Sequence, residues 1–173
     1  MDSQIERILE ALDSSGKKEN TYVVFTADHG LSCGNHGLMG KQNLYDHSIR
    51  VPLFVAGPDI PRGKRVGADV YLQDVMPTIL ELAGAEVPGH IEYHSLLPFT
   101  DGSRSKSHYD AIYGCYMDKQ RMVREGDFKL ILYPYASEML LFDLENDPEE
   151  IVNLAGEEGY GDRIARLFDK FLE

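Results

Sequence analysis

Residues 21–52 read TYVVFTADHGLSCGNHGLMGKQNLYDHSIRVP, and this stretch decides how the first part of the chain folds. Residues 22–25 form a short apolar run of β-branched and aromatic side chains, which is typical of a strand covered on both faces. Asp28, His29 and Gly30 follow where that strand ends. Ligands bind beyond the carboxyl ends of strands in open parallel sheets, so an acid and an imidazole lie where such proteins do their chemistry.

A glycine-rich loop follows this strand end and finishes at Lys41, with glycines at positions 30, 34, 37 and 40. Glycine lets the backbone approach a ligand closely. A hard cation bound by Asp28, together with the ammonium group of Lys41, would make a pocket that attracts anions. The same Asp-x-Gly pattern is also typical of a simple tight turn, and residue types alone leave both interpretations open.

Three motifs in this region together resemble the sulfatase family of the alkaline-phosphatase superfamily, whose members are metal-dependent ester hydrolases. They are T-A-D-H-G at 26–30, G-x-H-G-x-x-x-K at 34–41 and R-V-P-L-F-V-A-G-P at 50–58. The resemblance implies that Asp28 and His29 are ligands of an active-site calcium ion. It also implies that Lys41 is a catalytic residue that binds the sulfate group, and that His36 faces the substrate. His47 is expected to cap or pack, and Arg50 to pair with a carboxylate.

Composition limits the classes of partner. The chain has 173 residues, of which 43% are hydrophobic and 27% charged, and its net charge is −12. The negative charge argues against nucleic acids and anionic membranes as partners, because both require basic patches. No apolar run approaches the ~20 residues of a membrane-spanning helix. We expect a soluble protein of unknown compartment, since any signal peptide would precede Met1. Cys33 and Cys115 are expected to be free thiols, although a disulfide remains open.

The first part of the chain predicts a partial parallel or mixed sheet with flanking helices. Residues 3–15 have helical periodicity, with a Ser3–Glu6 capping box and Gly16 ending the helix. A second strand is predicted over 51–56. A second helix is predicted within 72–83, starting near residue 73 or 74 because Pro77 must lie in its first turn. We assign residues 1–107 to this α/β domain, which carries the metal and sulfate loop.

The second part of the chain predicts a small four-stranded antiparallel sheet and a C-terminal helix, assigned to residues 108–173. Short strand-like runs at 111–116, 121–124, 128–133 and 139–144 are separated by turn signals, as in a meander. The acidic residues 143–150 are interpreted as a solvated turn, and residues 162–172 as an amphipathic helix. The motifs F-K-L-I and L-F-D-L-E-N-D-P-E-E-I-V-N-L-A are similar to the carboxyl-terminal part of sulfatases. The fold class is therefore α/β with a small antiparallel sheet.

The nucleophile that the resemblance implies is missing. Sulfatases use a formylglycine made from Cys or Ser within C/S-x-P/A-x-R, and neither Cys33, followed by Gly-Asn-His-Gly, nor Cys115, followed by Tyr-Met-Asp-Lys, fits. The Asp-Asp metal pair of the family is also missing, and calcium prefers six to eight oxygen ligands. We therefore expect a truncated sulfatase with an incomplete calcium site that is inactive alone.

The expected partners are a sulfate-ester small molecule or glycan and the missing N-terminal part of the same protein. Homo-oligomers are also considered, because an uncovered sheet edge tends to pair with another chain. Two alternatives remain open. One is a phosphodiesterase or phosphonate monoester hydrolase of the same superfamily, and the other is a non-catalytic stand-alone domain that binds a partner or anion.

Overall fold

The computed structural model describes residues 1–172. The helices and strands in chain order are α1 (Asp2–Ser14), β1 (Val23–Thr26), β2 (Ser32–Cys33), β3 (Met39–Gly40), α2 (Asp46–Ile49), β4 (Leu53–Ala56), α3 (Val75–Leu82), α4 (Leu97–Asp101), β5 (Ile112–Tyr116), β6 (Gln120–Glu125), β7 (Phe128–Tyr133), β8 (Glu138–Asp143) and α5 (Gly161–Asp169). Single 3-10 turns lie at Lys18–Asn20, Asn35–Gly37 and Leu72–Asp74. The predicted α/β class, with a four-stranded antiparallel sheet and a helix after it, is confirmed.

These elements group into two compact units that interleave along the chain. The first unit contains Met1–Ala27, Pro52–Gly67 and Val75–Ser105. The second contains Asp28–Val51, Ala68–Asp74 and the chain from Lys106 onward. The loop that begins at Asp28 therefore belongs to the second unit. The sequence-based domain boundary after residue 107 stays a prediction.

In the first unit, α1 ends as the sequence predicts, but it begins differently. Gly16 follows the helix with a φ of +69°, a left-handed conformation that glycine adopts without a steric penalty. The predicted capping box is wrong, because the helix starts at Asp2 and Met1 is its N-cap, with no side-chain cap. Ser3 is thus already inside the first turn.

Strands β1 and β4 form a two-stranded sheet in which the pairing is antiparallel, from Val23 opposite Ala56 to Thr26 opposite Leu53. The predicted parallel or mixed sheet is therefore corrected to an antiparallel pair for β1 and β4. The chain leaves β1 at Thr26 and re-enters β4 at the same end of the sheet, so the two strands run in opposite directions. The expected cover on both faces is also wrong, since Phe25 is 36% and Phe54 65% exposed.

The helical segments around Pro77 agree with the sequence pattern. The 3-10 turn over Leu72–Asp74 directly precedes α3, and Pro77 is the third residue of that helix, where a backbone N–H has no partner within the helix. Helix α4 was not predicted, because its segment is punctuated by proline and glycine. Leu96 and Phe99 are buried there, and Leu96 N–H donates to Thr78 Oγ1 at 2.8 Å.

In the second unit, the sheet has the strand order β5-β6-β7-β8, and every neighbouring pair is antiparallel. Side chains alternate between its faces, so adjacent Leu130 and Ile131 enter different buried clusters. Helix α5 covers one cluster through the fully buried Leu167. Leu44 and Tyr45, which precede α2, pack in the other cluster with Met122, Ile131 and Phe142. The end of the glycine-rich loop is thereby anchored on the sheet.

The acidic residues 143–150 are predicted to form a solvated turn, and this prediction is wrong for Glu150. Glu150 is 2% exposed, whereas Glu145 and Glu149 are exposed. Among residues 1–172, no helix is long and apolar enough to cross a bilayer. Cys33 and Cys115 are free thiols, as predicted.

Candidate functional site

The loop that follows β1 brings three of the predicted site residues together. Lys41 Nζ lies 2.6 Å from His29 Nε2, and Asp28 Oδ2 lies 3.3 Å from the same ring nitrogen. The Asp28 side chain is 85% exposed and that of His29 34%. Lys41 is also exposed. A carboxylate, an imidazole and an ammonium group therefore meet at a surface that solvent and a ligand can reach.

The contacts of the His29 ring indicate which of its nitrogens carries a proton. Nδ1 lies 2.8 Å from Gly30 O, and a carbonyl only accepts hydrogen bonds, so Nδ1 carries the proton. Nε2 then has a free lone pair, to which Lys41 Nζ donates. A neutral imidazole fixed through its other nitrogen is the form in which histidine ligates metals. This tautomer follows from the hydrogen-bond partners.

Gly30 docks directly on α2. Its N–H donates to Ser48 O at 2.8 Å, and a Cβ at this position would lie 1.9 Å from His47 O. Only glycine fits so close to another backbone. The glycine that follows Asp28 and His29 therefore ties the site to the end of α2.

Lys41 is carried to the site by a small hairpin made of β2 and β3, in which Ser32 pairs with Gly40. The Ser32 hydroxyl is fully buried and lies 2.9 Å from both Asn35 O and Leu38 O. Gly34 has a φ of +110°, which side chains rarely adopt, so the tip of the hairpin requires glycine.

His36 lies in the same loop but makes a different set of contacts. Its ring stacks on Tyr45 with 3.9 Å between centroids and an interplanar angle of 10°. His47 stacks near both rings, at 5.5 Å from His36 and 5.6 Å from Tyr45. His36 has a φ of +54°, an uncommon value for a residue with a side chain. The role of His36 toward a substrate stays a prediction.

The environment of α2 agrees with the packing role expected for His47. Burial, with a contribution from nearby His36, lowers the pKa of His47, which favours a neutral ring at pH 7. Burial raises the pKa of Tyr45 to about 12, so its hydroxyl stays protonated. Arg50 Nη1 lies 3.7 Å from Asp46 Oδ2, in line with the expected pairing to a carboxylate.

Asp28 and His29 have donor groups of the kinds that metal sites use. Asp28 contributes an exposed carboxylate and His29 a lone pair on Nε2, which are both suitable ligands. Within residues 1–172, however, no three His, Cys, Asp or Glu side chains converge on a metal position. Calcium binds six to eight oxygen atoms, so this chain would contribute a minority of its ligands.

Sequence reasoning missed a buried ionic group behind the site. Lys129 is fully buried, and its Nζ lies 2.7 Å from both Asp46 Oδ1 and Glu150 Oε1. Glu150 Oε2 also accepts the backbone N–H of Asp46 at 2.6 Å. The available signal was the lysine inside the apolar F-K-L-I run, at a strand position where a charge requires a partner.

Three comparisons with known proteins agree on one family. The sequence profile of the family described as Sulfatase matches residues 1–85. Arylsulfatase K of Xenopus laevis is 32% identical over 170 residues, which cover 90% of this chain and 32% of that protein. The chain thus spans about a third of the length of the curated relatives that it matches.

Solved structures extend the similarity to nearly the whole chain. One, described as a complex with its substrate D-glucosamine-2-N,6-O-disulfate, has a TM-score of 0.89 and 30% identity, covering 99% of this chain and 37% of that one. A phosphonate monoester hydrolase from Silicibacter pomeroyi has a TM-score of 0.85 and 27% identity, with 99% and 38% covered. Sequence and fold lead to the same conclusion. The chain is similar to sulfatases in sequence and in fold.

Proposed function

We propose that this chain carries the metal-binding and sulfate-binding part of a sulfuric ester hydrolase. The observation that carries the proposal is the convergence of Asp28, His29 and Lys41, with Lys41 Nζ at 2.6 Å and Asp28 Oδ2 at 3.3 Å from His29 Nε2. This convergence occurs in a chain that is similar to sulfatases in sequence and in fold. An exposed ammonium group next to a metal-ligating pair suits an anionic ester.

Each residue would have a distinct task. Asp28 and His29 would hold the calcium ion that the resemblance implies, and the ion would polarise the sulfate oxygens when bound. Lys41 would donate to a sulfate oxygen and stabilise the charge that develops as the ester bond breaks. His29 would be held in place by its Nδ1–H bond to Gly30 O, and a calcium ion on Nε2 would take the lone pair from Lys41 and leave the ammonium group to donate to the sulfate.

The nucleophile would come from another part of a longer protein. Neither Cys33 nor Cys115 lies in the sequence context of a formylglycine precursor. The chain corresponds to about a third of its relatives, which leaves room for a nucleophile outside it. Sulfated sugars are the favoured substrate class, because the structure with a TM-score of 0.89 is described with a disulfated glucosamine as its substrate.

A binding experiment on this chain tests the site without requiring turnover. Isotope-labelled protein is titrated with calcium chloride and with sodium sulfate, and the amide and side-chain NMR signals of residues 28–41 are followed. Asp28→Asn should abolish the calcium response. Lys41→Ala should weaken sulfate binding about tenfold, the loss of one charge-assisted hydrogen bond. Lys17→Ala, which removes an exposed lysine of the first unit, is the matched control and should bind like wild type. Equal sulfate affinity for all three variants would contradict the proposed site.

Activity distinguishes the alternative reactions. The protein expressed from its complete natural gene is assayed with aryl sulfate, sulfated glucosamine and phosphonate monoester substrates. We expect sulfate-ester hydrolysis that falls sharply in Lys41→Ala. A preference for the phosphonate ester would favour the second candidate, which the phosphonate monoester hydrolase similarity supports. No turnover together with intact calcium and sulfate binding would favour a non-catalytic binding domain.

A further inference from the structure

The buried ionic group of Lys129, Asp46 and Glu150 is the strongest feature that the proposed site does not use. Lys129 lies on β7 and is fully buried, and Glu150 is 2% exposed. The Asp46 side chain is 14% exposed. Burying a charged group is costly unless it is paired and hydrogen-bonded. Replacing such groups with apolar residues is often neutral for stability, so their presence here suggests a task other than stability.

The group holds the start of α2 through two kinds of contact. Lys129 Nζ pairs with the Asp46 side chain at 2.7 Å, and Glu150 Oε2 accepts the Asp46 backbone N–H at 2.6 Å. The first residue of the helix is therefore held at its side chain by β7 and at its backbone by the segment that follows β8. Helix α2 has only four residues, so it cannot be stable by itself.

Glu150 is itself forced into place. Its φ is +58°, a left-handed conformation that is sterically unfavourable for a residue with a side chain. Such a conformation persists only where surrounding contacts impose it. Burial raises the pKa of the Glu150 carboxyl, and the charge of Lys129 opposes that rise. Lys129 therefore favours the ionised form of the carboxyl group that binds the start of α2.

The other end of α2 reaches the candidate site. Ser48 O accepts the N–H of Gly30, and the Cα of Gly30 is so close to His47 O that no side chain fits. Gly30 O in turn accepts the Nδ1–H of His29, whose Nε2 accepts from Lys41. An unbroken series of contacts thus runs from Lys129 through α2 and Gly30 to His29 and Lys41.

We propose that Lys129, with Asp46 and Glu150, is the positioning residue of the sulfate-binding site and acts by fixing α2 against Gly30. The assignment of the site as sulfate-binding rests on the proposed function, whereas the mechanical link from Lys129 to Gly30 does not. Lys129 contacts neither Asp28, His29 nor Lys41, so its effect is transmitted through α2.

The test requires variants that remove the charges and still fold. Lys129→Met alone would leave the buried Glu150 carboxylate without a cation, whereas Asp46 would keep Arg50. We therefore combine Lys129→Met with Asp46→Asn and Glu150→Gln. The glutamine side chain at position 150 retains a hydrogen-bond acceptor for the backbone N–H of residue 46. Glu150→Gln alone is the second variant and is read in the same way if the triple variant does not fold. Arg166→Gln removes the cation of an exposed ion pair with Glu125 in the same unit and is the control.

Three measurements are made on variants whose sheet amides remain protected. Amide hydrogen exchange at Gly30 should become about tenfold faster or more, because its hydrogen bond to Ser48 O is no longer held. The Nδ1–H signal of His29 should shift, and sulfate affinity should fall about fivefold, which is the scale of one loosened contact. Arg166→Gln should change none of these.

The outcomes separate this proposal from the proposed function. A folded charge-free variant with Gly30 exchange and His29 signals like those of wild type would show that the group is merely structural, and would overturn the proposal. Wild-type protein that binds neither calcium nor sulfate would overturn the proposed function. The Gly30 exchange comparison would then still decide whether Lys129 positions this loop.

Discussion

The two units of the chain differ in how fully their apolar side chains are covered. The second unit contains two buried clusters on the two faces of one sheet, with Leu130, Ile131 and Leu141 fully buried. In the first unit, Leu96 and Phe99 are buried, but α1 has no buried residue. Amphipathic periodicity is present in α1 and α5 alike, but Leu167 of α5 is fully buried, whereas Ile5 and Leu12 of α1 are only half-buried.

This difference shows what periodicity can and cannot predict. A stripe of apolar residues at helical spacing indicates a helix with one apolar face, and the sequence predicts both α1 and α5 on that basis. Whether the face is buried depends on the surface it meets. Leu167 on α5 is fully buried against one face of the sheet, whereas Ile8 on α1 is 69% exposed.

Hydrogen exchange should show the largest contrast between the units. Amides of β7 pair on both sides within a buried sheet, whereas α1 is a solvated helix whose hydrogen bonds can open locally. We expect β7 amides to exchange roughly a thousandfold more slowly than those of α1, because they open only by global unfolding. NMR-detected exchange at pH 7 measures both in one sample. Equal protection would show that the α1 face is covered in solution, for instance by a second copy of the chain.

Matched leucine truncations should give the next largest contrast. Leu141→Ala removes a fully buried side chain and should lower the free energy of unfolding by about 2–5 kcal/mol. Leu9 is 45% exposed, so Leu9→Ala should change the free energy of unfolding by less than about 0.5 kcal/mol. Urea unfolding followed by tyrosine fluorescence compares the two. A Leu9→Ala cost that grows with protein concentration would instead indicate an interface on α1.

A pair of glycine substitutions tests the close approach at the site. In Gly30→Ala the new methyl group would overlap His47 O, which should cost about 1–3 kcal/mol of stability as the loop moves away. Gly156→Ala meets no atom within 4 Å and is the control in the same unit. Thermal unfolding and the His29 NMR signals report the two effects. A Gly30→Ala variant as stable as Gly156→Ala would mean that the loop tolerates displacement.

The sequence predicted the elements far better than the contacts between them. The strands of the meander, the helix end at Gly16 and the place of Pro77 were correct because each depends on local chemistry. The antiparallel pairing of β1 with β4 was missed because strand direction depends on where the chain returns. The grouping of Asp28, His29 and Lys41 in one loop was expected from their motif, but their calcium and sulfate roles stay predictions.

The buried ionic group shows the limit most clearly. Lys129 and Glu150 are 21 positions apart in sequence and Asp46 lies in another segment, so no local pattern links them. The acidic composition of residues 143–150 predicts a solvated turn, because runs of like charge are usually exposed to solvent. Glu150 is an exception because its buried carboxylate pairs with Lys129.

The smallest expected effect comes from an exposed ion pair, which contrasts with that buried group. Arg166 donates two hydrogen bonds to Glu125, at 2.6 and 2.9 Å, and this holds the pKa of the Glu125 carboxyl below its usual value. Because the pKa in the folded state is the lower one, the pair stabilises the fold above the unfolded-state pKa. That contribution is lost as the pH falls through the folded-state pKa.

A double-mutant cycle isolates this contribution. Arg166→Gln, Glu125→Gln and the double variant are unfolded in urea at pH 7 and at a pH well below the usual carboxyl range. We expect a small favourable coupling at pH 7, because exposed pairs are screened by solvent, and none in acid, where Glu125 is protonated. A coupling that persists unchanged in acid would show that packing of the arginine stem, rather than charge, holds α5 to the sheet.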